Sequence, residues 1–250
     1  VWEDSTLKKF DFAFLGPYST IKSKNPIAIE GAVSSTGSTW KLDIRHLSVP
    51  HISSLKMQNA INLVWKQDPL LDKEIEFSAK QFDIAIAMYL ARLSAAVPLE
   101  AQKLLETVRP QGSMENIIGH YYPDGTDSAF AINLGVKNLS TRGTDKYPAL
   151  NGFSGVVKIN QSEGKLILLK TDFSLDEHHN LDSPLEFNSL EGSLNWEKNE
   201  KGNWSISVPS ISGKLNNSAF HISGRYKNLL SNEAYLDVGI SLPKIDTQSL

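Results

Sequence analysis

Apolar and polar residues alternate with a period of two along most of this chain. Phe10, Phe12 and Phe14 share one phase, with Lys9, Asp11 and Ala13 between them; Ile27, Ile29 and Val33 follow, with Gly31 in the same phase. The clearest run is Phe130, Ile132, Leu134 and Val136, interleaved with Ala131, Asn133, Gly135 and Lys137. Later runs are Leu190-Gly192-Leu194-Trp196, Trp204-Ile206-Val208, Phe220-Ile222-Gly224-Tyr226 and Leu236-Val238-Ile240-Leu242. Successive side chains of a strand point to opposite faces, so each run predicts a strand with one apolar and one polar side. Leu166 to Leu169 is apolar in both phases and predicts a strand covered on both faces. Turn signals at Pro123-Asp124-Gly125, Asn151-Gly152, Glu163-Gly164 and Lys198 to Gly202 separate the runs. The expectation is roughly a dozen strands, mostly antiparallel, on short connections.

One region breaks the alternation. Lys80 to Ser94 has the length and the Ala, Leu and Met content of a helix. Pro98 suits the first turn of a second helix reaching Val108, where Ala101, Leu104, Leu105 and Val108 form one stripe. Arg109-Pro110-Gln111-Gly112 stops it. The chain thus divides into a β segment over 1–79, a helix pair over 80–112 and a second β segment over 113–250. Ser78 to Asp83, just before the helix, aligns without a gap with Ser241 to Asp246. Either the similarity is chance, or Asp246 begins another helix in a longer repetitive protein.

Little catalytic chemistry is visible. None of the 250 residues is cysteine, which removes disulfides, zinc-thiolate sites and a cysteine nucleophile. A net charge of −3 argues against a dedicated nucleic-acid binder. Asp176-Glu177-His178-His179 holds four potential metal ligands, but adjacent strand positions diverge, so a solvated loop is expected and no metal site. His46, His51, His120 and His221 show no ligand spacing, and no nucleophile elbow, phosphate loop or dinucleotide fingerprint occurs. Asp68, Asp72, Glu74 and Glu76 offer carboxylates without selecting a glycosidase pair. Asn-x-Ser triplets at Asn138, Asn160, Asn203 and Asn216 matter only in a eukaryotic secretory setting. The longest apolar stretch, Ile84 to Val97, is shorter than the ~20 residues of a membrane span and contains Arg92.

The apolar phase is therefore the informative feature, since two short helices are too few to cover a dozen strands. Two sheets packed face to face would close it as a periplasmic or secreted β-sandwich binding carbohydrate or another protein, with Trp40, Trp65, Trp196 and Trp204 free to stack on sugars if they lay in the polar phase. Alternatively, one long, curved and twisted sheet would leave it open as an apolar groove suited to acyl chains. The residues expected to line that groove collectively are Phe130, Ile132, Leu134, Val136, Leu194, Phe220, Ile222, Leu236, Val238 and Ile240. The helix pair would cap the core or gate one end.

Val108-Arg109-Pro110-Gln111-Gly112-Ser113-Met114 resembles a recurring element of the large bacterial AsmA-like proteins. So does Pro148-Ala149-Leu150-Asn151-Gly152-Phe153-Ser154-Gly155-Val156, followed by Gly164-Lys165-Leu166. More narrowly, the chain resembles the YhdP family with its DUF3971 domain, over roughly Ile75 to Leu250. This resemblance implies a mainly β groove with an embedded helix pair, no enzyme activity and no cofactor. It implies a periplasmic protein, anchored to the inner membrane of Gram-negative bacteria by an N-terminal helix, with phospholipid as partner and movement between inner and outer membranes as the role. Family members are much longer, so the resemblance makes this chain a piece whose groove continues beyond it. Pro110, Gly112, Pro148, Gly152 and Gly155 are implied to be architectural.

Overall fold

The computed structural model describes residues 8–16, 27–49, 61–66, 73–93, 99–122, 130–144, 147–176, 183–200, 202–216, 218–228 and 234–242. The first half of the fold comprises β1 (Lys8–Gly16), β2 (Ile27–Thr36), β3 (Thr39–Ser48), β4 (Ile61–Lys66), β5 (Glu74–Asp83), α1 (Ile84–Leu93) and α2 (Leu99–Val108). Then come β6 (Gln111–Tyr121), β7 (Phe130–Ser140), β8 (Ala149–Asn151), β9 (Phe153–Asn160), β10 (Glu163–Asp176), β11 (Leu185–Lys198), β12 (Trp204–Leu215), β13 (Ser218–Lys227) and β14 (Tyr235–Ser241). All belong to one antiparallel sheet in which strands neighbour one another in chain order; the short β8 stands off this path and pairs with β10. A second sheet packed face to face is absent among the described residues, so the sandwich is overturned in favour of the single open sheet.

Period-two patterning sets the register. Starting from Phe10 of β1, one line of directly opposed residues runs through Val33, Leu42, Leu63, Phe77, Gly119 and Ile132. It continues through Ile159, Gly164, Trp196, Ile206 and Tyr226 to Leu236 of β14. All thirteen path strands contribute one residue, and none is charged. A one-residue slip anywhere would turn that strand's apolar set to the other face, so burial of any part enforces the whole register. The two glycines sit beneath rings: a Cβ on Gly119 would collide with Phe77, and one on Gly164 with Trp196.

Bulges bend the sheet. Register shifts interrupt the β6–β7, β7–β9, β10–β11, β11–β12 and β12–β13 ladders. Asn116, Asn138, Lys170 and Ser189 take left-handed φ near these breaks, and each extra residue adds local twist and a kink. Backbone N–H groups freed there find side chains on the next strand. Asn138 N–H donates to Ser154 Oγ (3.0 Å), Ser154 N–H to Thr171 Oγ1 (3.1 Å), and Ser189 N–H to Asp172 Oδ1. Thr171 is buried at 6 % exposure because it fills this acceptor role.

Two apolar clusters sit on the apolar face toward the strand ends that lead into α1 and into the β10–β11 and β12–β13 connections. Leu47, Val49, Ala79, Phe82, Ile86 and Ile117 form the first, and α1 contributes Ile86, 2 % exposed. The second joins Leu168, Leu190 and Phe220, and Phe173 stacks on Phe187 at 4.8 Å between centroids. The expected helix over Lys80 to Ser94 begins later, because β5 stays paired with β6 through Asp83 opposite Ser113. Asp83 then caps α1, its Oδ1 accepting the Ala85 N–H at 2.7 Å. Among the described side chains 84–89 Ile86 is buried and the other five are half-buried, so α1 packs most tightly through Ile86.

At the exit of α2, Arg109 takes φ +44°, and the Val108 carbonyl accepts the Arg142 N–H at 2.6 Å. Gly112 follows with φ +130°, where a Cβ would lie 2.8 Å from the Asn138 carbonyl oxygen. No other residue fits there, which gives this glycine its architectural role. Leu169 corrects a further expectation: it is 71 % exposed beside the bulge at Lys170, so the second face of the Leu166 to Leu169 run is open there, although Ile167 in the same phase is half-buried. The Pro123-Asp124-Gly125 turn, Pro98, Glu177 to His179 and Asp246 lie outside the described residues.

Candidate functional site

The candidate site is the apolar face itself. Phe130, Ile132, Leu134 and Val136 are all half-buried on that face of β7, while Ala131 and Asn133 are exposed on the other. Ile132 and Leu236 belong to the thirteen-strand line. Leu134 opens a second line through Val157 and Leu166 to Leu194. Ile222 opposes Ile240, and Val238 opposes Gly224. Phe220 differs from the other nine: at 6 % exposure it is packed into the second cluster rather than laid open. Leu236, Val238 and Ile240 are 64, 48 and 64 % exposed, since β14 has a neighbour on one side only among the described strands.

The N-terminal half contributes as much. Val33, Leu42, Ile44, Ile61, Leu63, Phe77 and Ala79 carry the same face through β2 to β5. Their signal was the same alternation, in Trp40-Leu42-Ile44, Ile61-Leu63-Trp65 and Ile75-Phe77-Ala79.

The two long margins of the face differ. One is closed by α1 and the first cluster. Along the opposite margin Trp40 opposes Trp65, Trp65 opposes Ile75, Ile75 opposes Tyr121 and Tyr121 opposes Phe130. Trp40 and Trp65 are nearly half exposed, making an aromatic lip. Trp196 and Trp204 also occupy the apolar phase, so all four described tryptophans lie there and none serves the polar face.

Behind the lip, on the polar face, Glu74 accepts hydrogen bonds from Lys66 Nζ (3.2 Å) and Tyr122 Oη (3.3 Å), and its Oε1 lies 2.9 Å from His120 Nδ1. The His120 hydrogen bond, then that of Lys66, hold its carboxyl below the ordinary range. A depressed carboxylate stabilises the fold above its unfolded pKa of about 4.3 and loses that contribution as pH falls through the folded value. Urea midpoints should therefore drop from about pH 5 downward, and Glu74→Gln should flatten that acid limb. An unchanged acid limb in Glu74→Gln would show the cluster to be energetically idle. No group of His, Asp or Glu suited to a metal occurs among the described residues, and no described helix is long and apolar enough to cross a membrane.

No curated protein and no solved structure matches the chain significantly. A family profile described as YhdP protein matches residues 22–250. That span covers β2 to β14 and both helices, and with them the apolar face from Val33 onward and its aromatic lip. The chain belongs to the YhdP family, a bacterial membrane-associated family whose role is lipid transport in general.

Proposed function

We propose that the apolar face is a non-enzymatic passage for phospholipid acyl chains, working in the periplasm between the inner and outer membranes. The observation that carries this reading is the uncharged line of thirteen residues. Twelve inter-strand steps of about 4.8 Å give a path of roughly 58 Å. One leaflet's acyl chains span about 15 Å, half a bilayer core, so several lipids fit in file. Each sheltered methylene contributes about 0.8 kcal/mol, enough to hold a chain without a closed pocket. Chains lie toward α1 and the clusters, and head groups leave over the Trp40 and Trp65 lip, where amphipathic rings suit an interface. The four tryptophans in the apolar phase favour this over a carbohydrate-binding surface.

Phosphatidylethanolamine with brominated acyl chains should quench tryptophan fluorescence saturably, and unbrominated lipid should compete. Lipid shown to be bound by mass spectrometry but giving no quenching would place it elsewhere and end this reading.

A further inference from the structure

The polar face carries its own concavity. An open hollow of about 1230 Å³ lies over β6 to β14 on the side opposite the apolar line. Its floor is another directly opposed series: Asn133, Lys158, Lys165, Asn195, Ser207 and Arg225. Lys158 and Lys165 stand directly opposite each other, an arrangement that like charges on adjacent strands disfavour. Neither they nor Arg225 forms an ion pair with a described carboxylate. Elsewhere on the same face Lys66 pairs with Glu74 and Lys137 with Glu115, while Lys41 is exposed with no ion pair to a described carboxylate. Glu163, Glu197 and Asp237 also line the hollow, Glu163 and Glu197 at its hairpin end and Asp237 on β14 directly opposite Arg225, which leaves Lys158 and Lys165 as the floor cations without a carboxylate across the strand.

We propose that this hollow binds a phosphate-bearing anion at Lys158 and Lys165. The side chains along the centre of the floor offer mainly donors: two ammonium groups, a guanidinium, two carboxamides and a hydroxyl. Lysine ammoniums are compact point charges suited to phosphate. A concave wall focuses their field. An anion between the two lysines turns their mutual repulsion into shared attraction. Free phosphate and a lipid head group present the same chemistry. The hollow has room for either; its lysines project from the sheet face opposite the acyl-chain passage, and Ile132, Ile159, Gly164, Trp196 and Ile206 of the passage line also border it.

Titrating the full chain with inorganic phosphate, against sodium chloride at equal ionic strength, tests this by NMR on the Asn133 and Asn195 side-chain amides. Saturable shifts with phosphate alone are expected, and the double substitution Lys158→Gln, Lys165→Gln should weaken the affinity at least tenfold. Lys137→Gln, outside the hollow, should leave it unchanged. Both lysines are exposed, so the double variant should keep its circular dichroism and melting temperature. A second arm uses phosphatidylglycerol and phosphatidylcholine vesicles. Sedimentation with phosphatidylglycerol only, lost in the double variant and competed by free phosphate, makes the source a head group. Phosphate binding without it makes the source a soluble phosphate. Equal shifts with chloride, or undiminished phosphate affinity in the folded double variant, would overturn the site while leaving the acyl-chain passage untouched.

Discussion

Replacing Ile86 by alanine is expected to cost about 2–5 kcal/mol of stability, the range for truncating a buried isoleucine whose surroundings cannot collapse. Ile86 is 2 % exposed and, among the described side chains of α1, is the only one in the buried core of the first cluster, alongside Phe82 and Ile117. Without its side chain, α1 loses its main hold on β5 and β6, and one margin of the apolar face is opened. Urea unfolding reads the cost, and hydrogen exchange over α1 reads whether the helix lifts away. Leu169→Ala is the matched control: at 71 % exposure it should change stability by less than about 0.5 kcal/mol. If the two substitutions cost the same, α1 is not anchored through this residue.

Placing a carboxylate on the line has a different signature. Ile132→Ala removes a few methylenes from a surface that many residues share, so lipid retention should fall less than twofold. Ile132→Asp should reduce it tenfold or more, because every chain sliding along the passage must cross a charge or a hydrated carboxyl. Ile132 is half-buried between Gly119 and Ile159, so the fold should tolerate the change better than it would at Leu168 or Ile117. Retained lipid in purified protein, counted per chain, measures the difference. Equal retention in Ile132→Ala and Ile132→Asp would mean that acyl chains do not pass β7.

The strands, their mostly antiparallel pairing and the helix pair were legible in the sequence because period-two alternation and turn residues are local signals. Choosing between an open sheet and a sandwich was not, since Ile132 and Leu134 alternate identically in either. The bulges were hidden as well. Asn116 and Ser189 look like ordinary polar positions, and their left-handed conformations emerge only from pairing with the adjacent strand. The start of α1 was misplaced because Lys80 to Asp83 can enter either a helix or a strand, and pairing with Ser113 to Glu115 decides it. Phe220 illustrates a third limit: its phase is that of the passage, but its surroundings bury it. The hollow at Lys158 and Lys165 arises from residues of neighbouring strands brought opposite one another, and no run within either strand announces it.

Site-specific photo-crosslinking in the cell tests the acyl-chain passage most directly. A photoreactive residue is placed at Leu42 or Ile132, both on the apolar line, and separately at Lys41, exposed on the opposite face and away from the hollow. Phospholipid adducts at Leu42 and Ile132 with none at Lys41 are the expected result. Folded protein that gives no lipid adduct at either apolar position, or equal adducts at Lys41, would contradict a passage along this face.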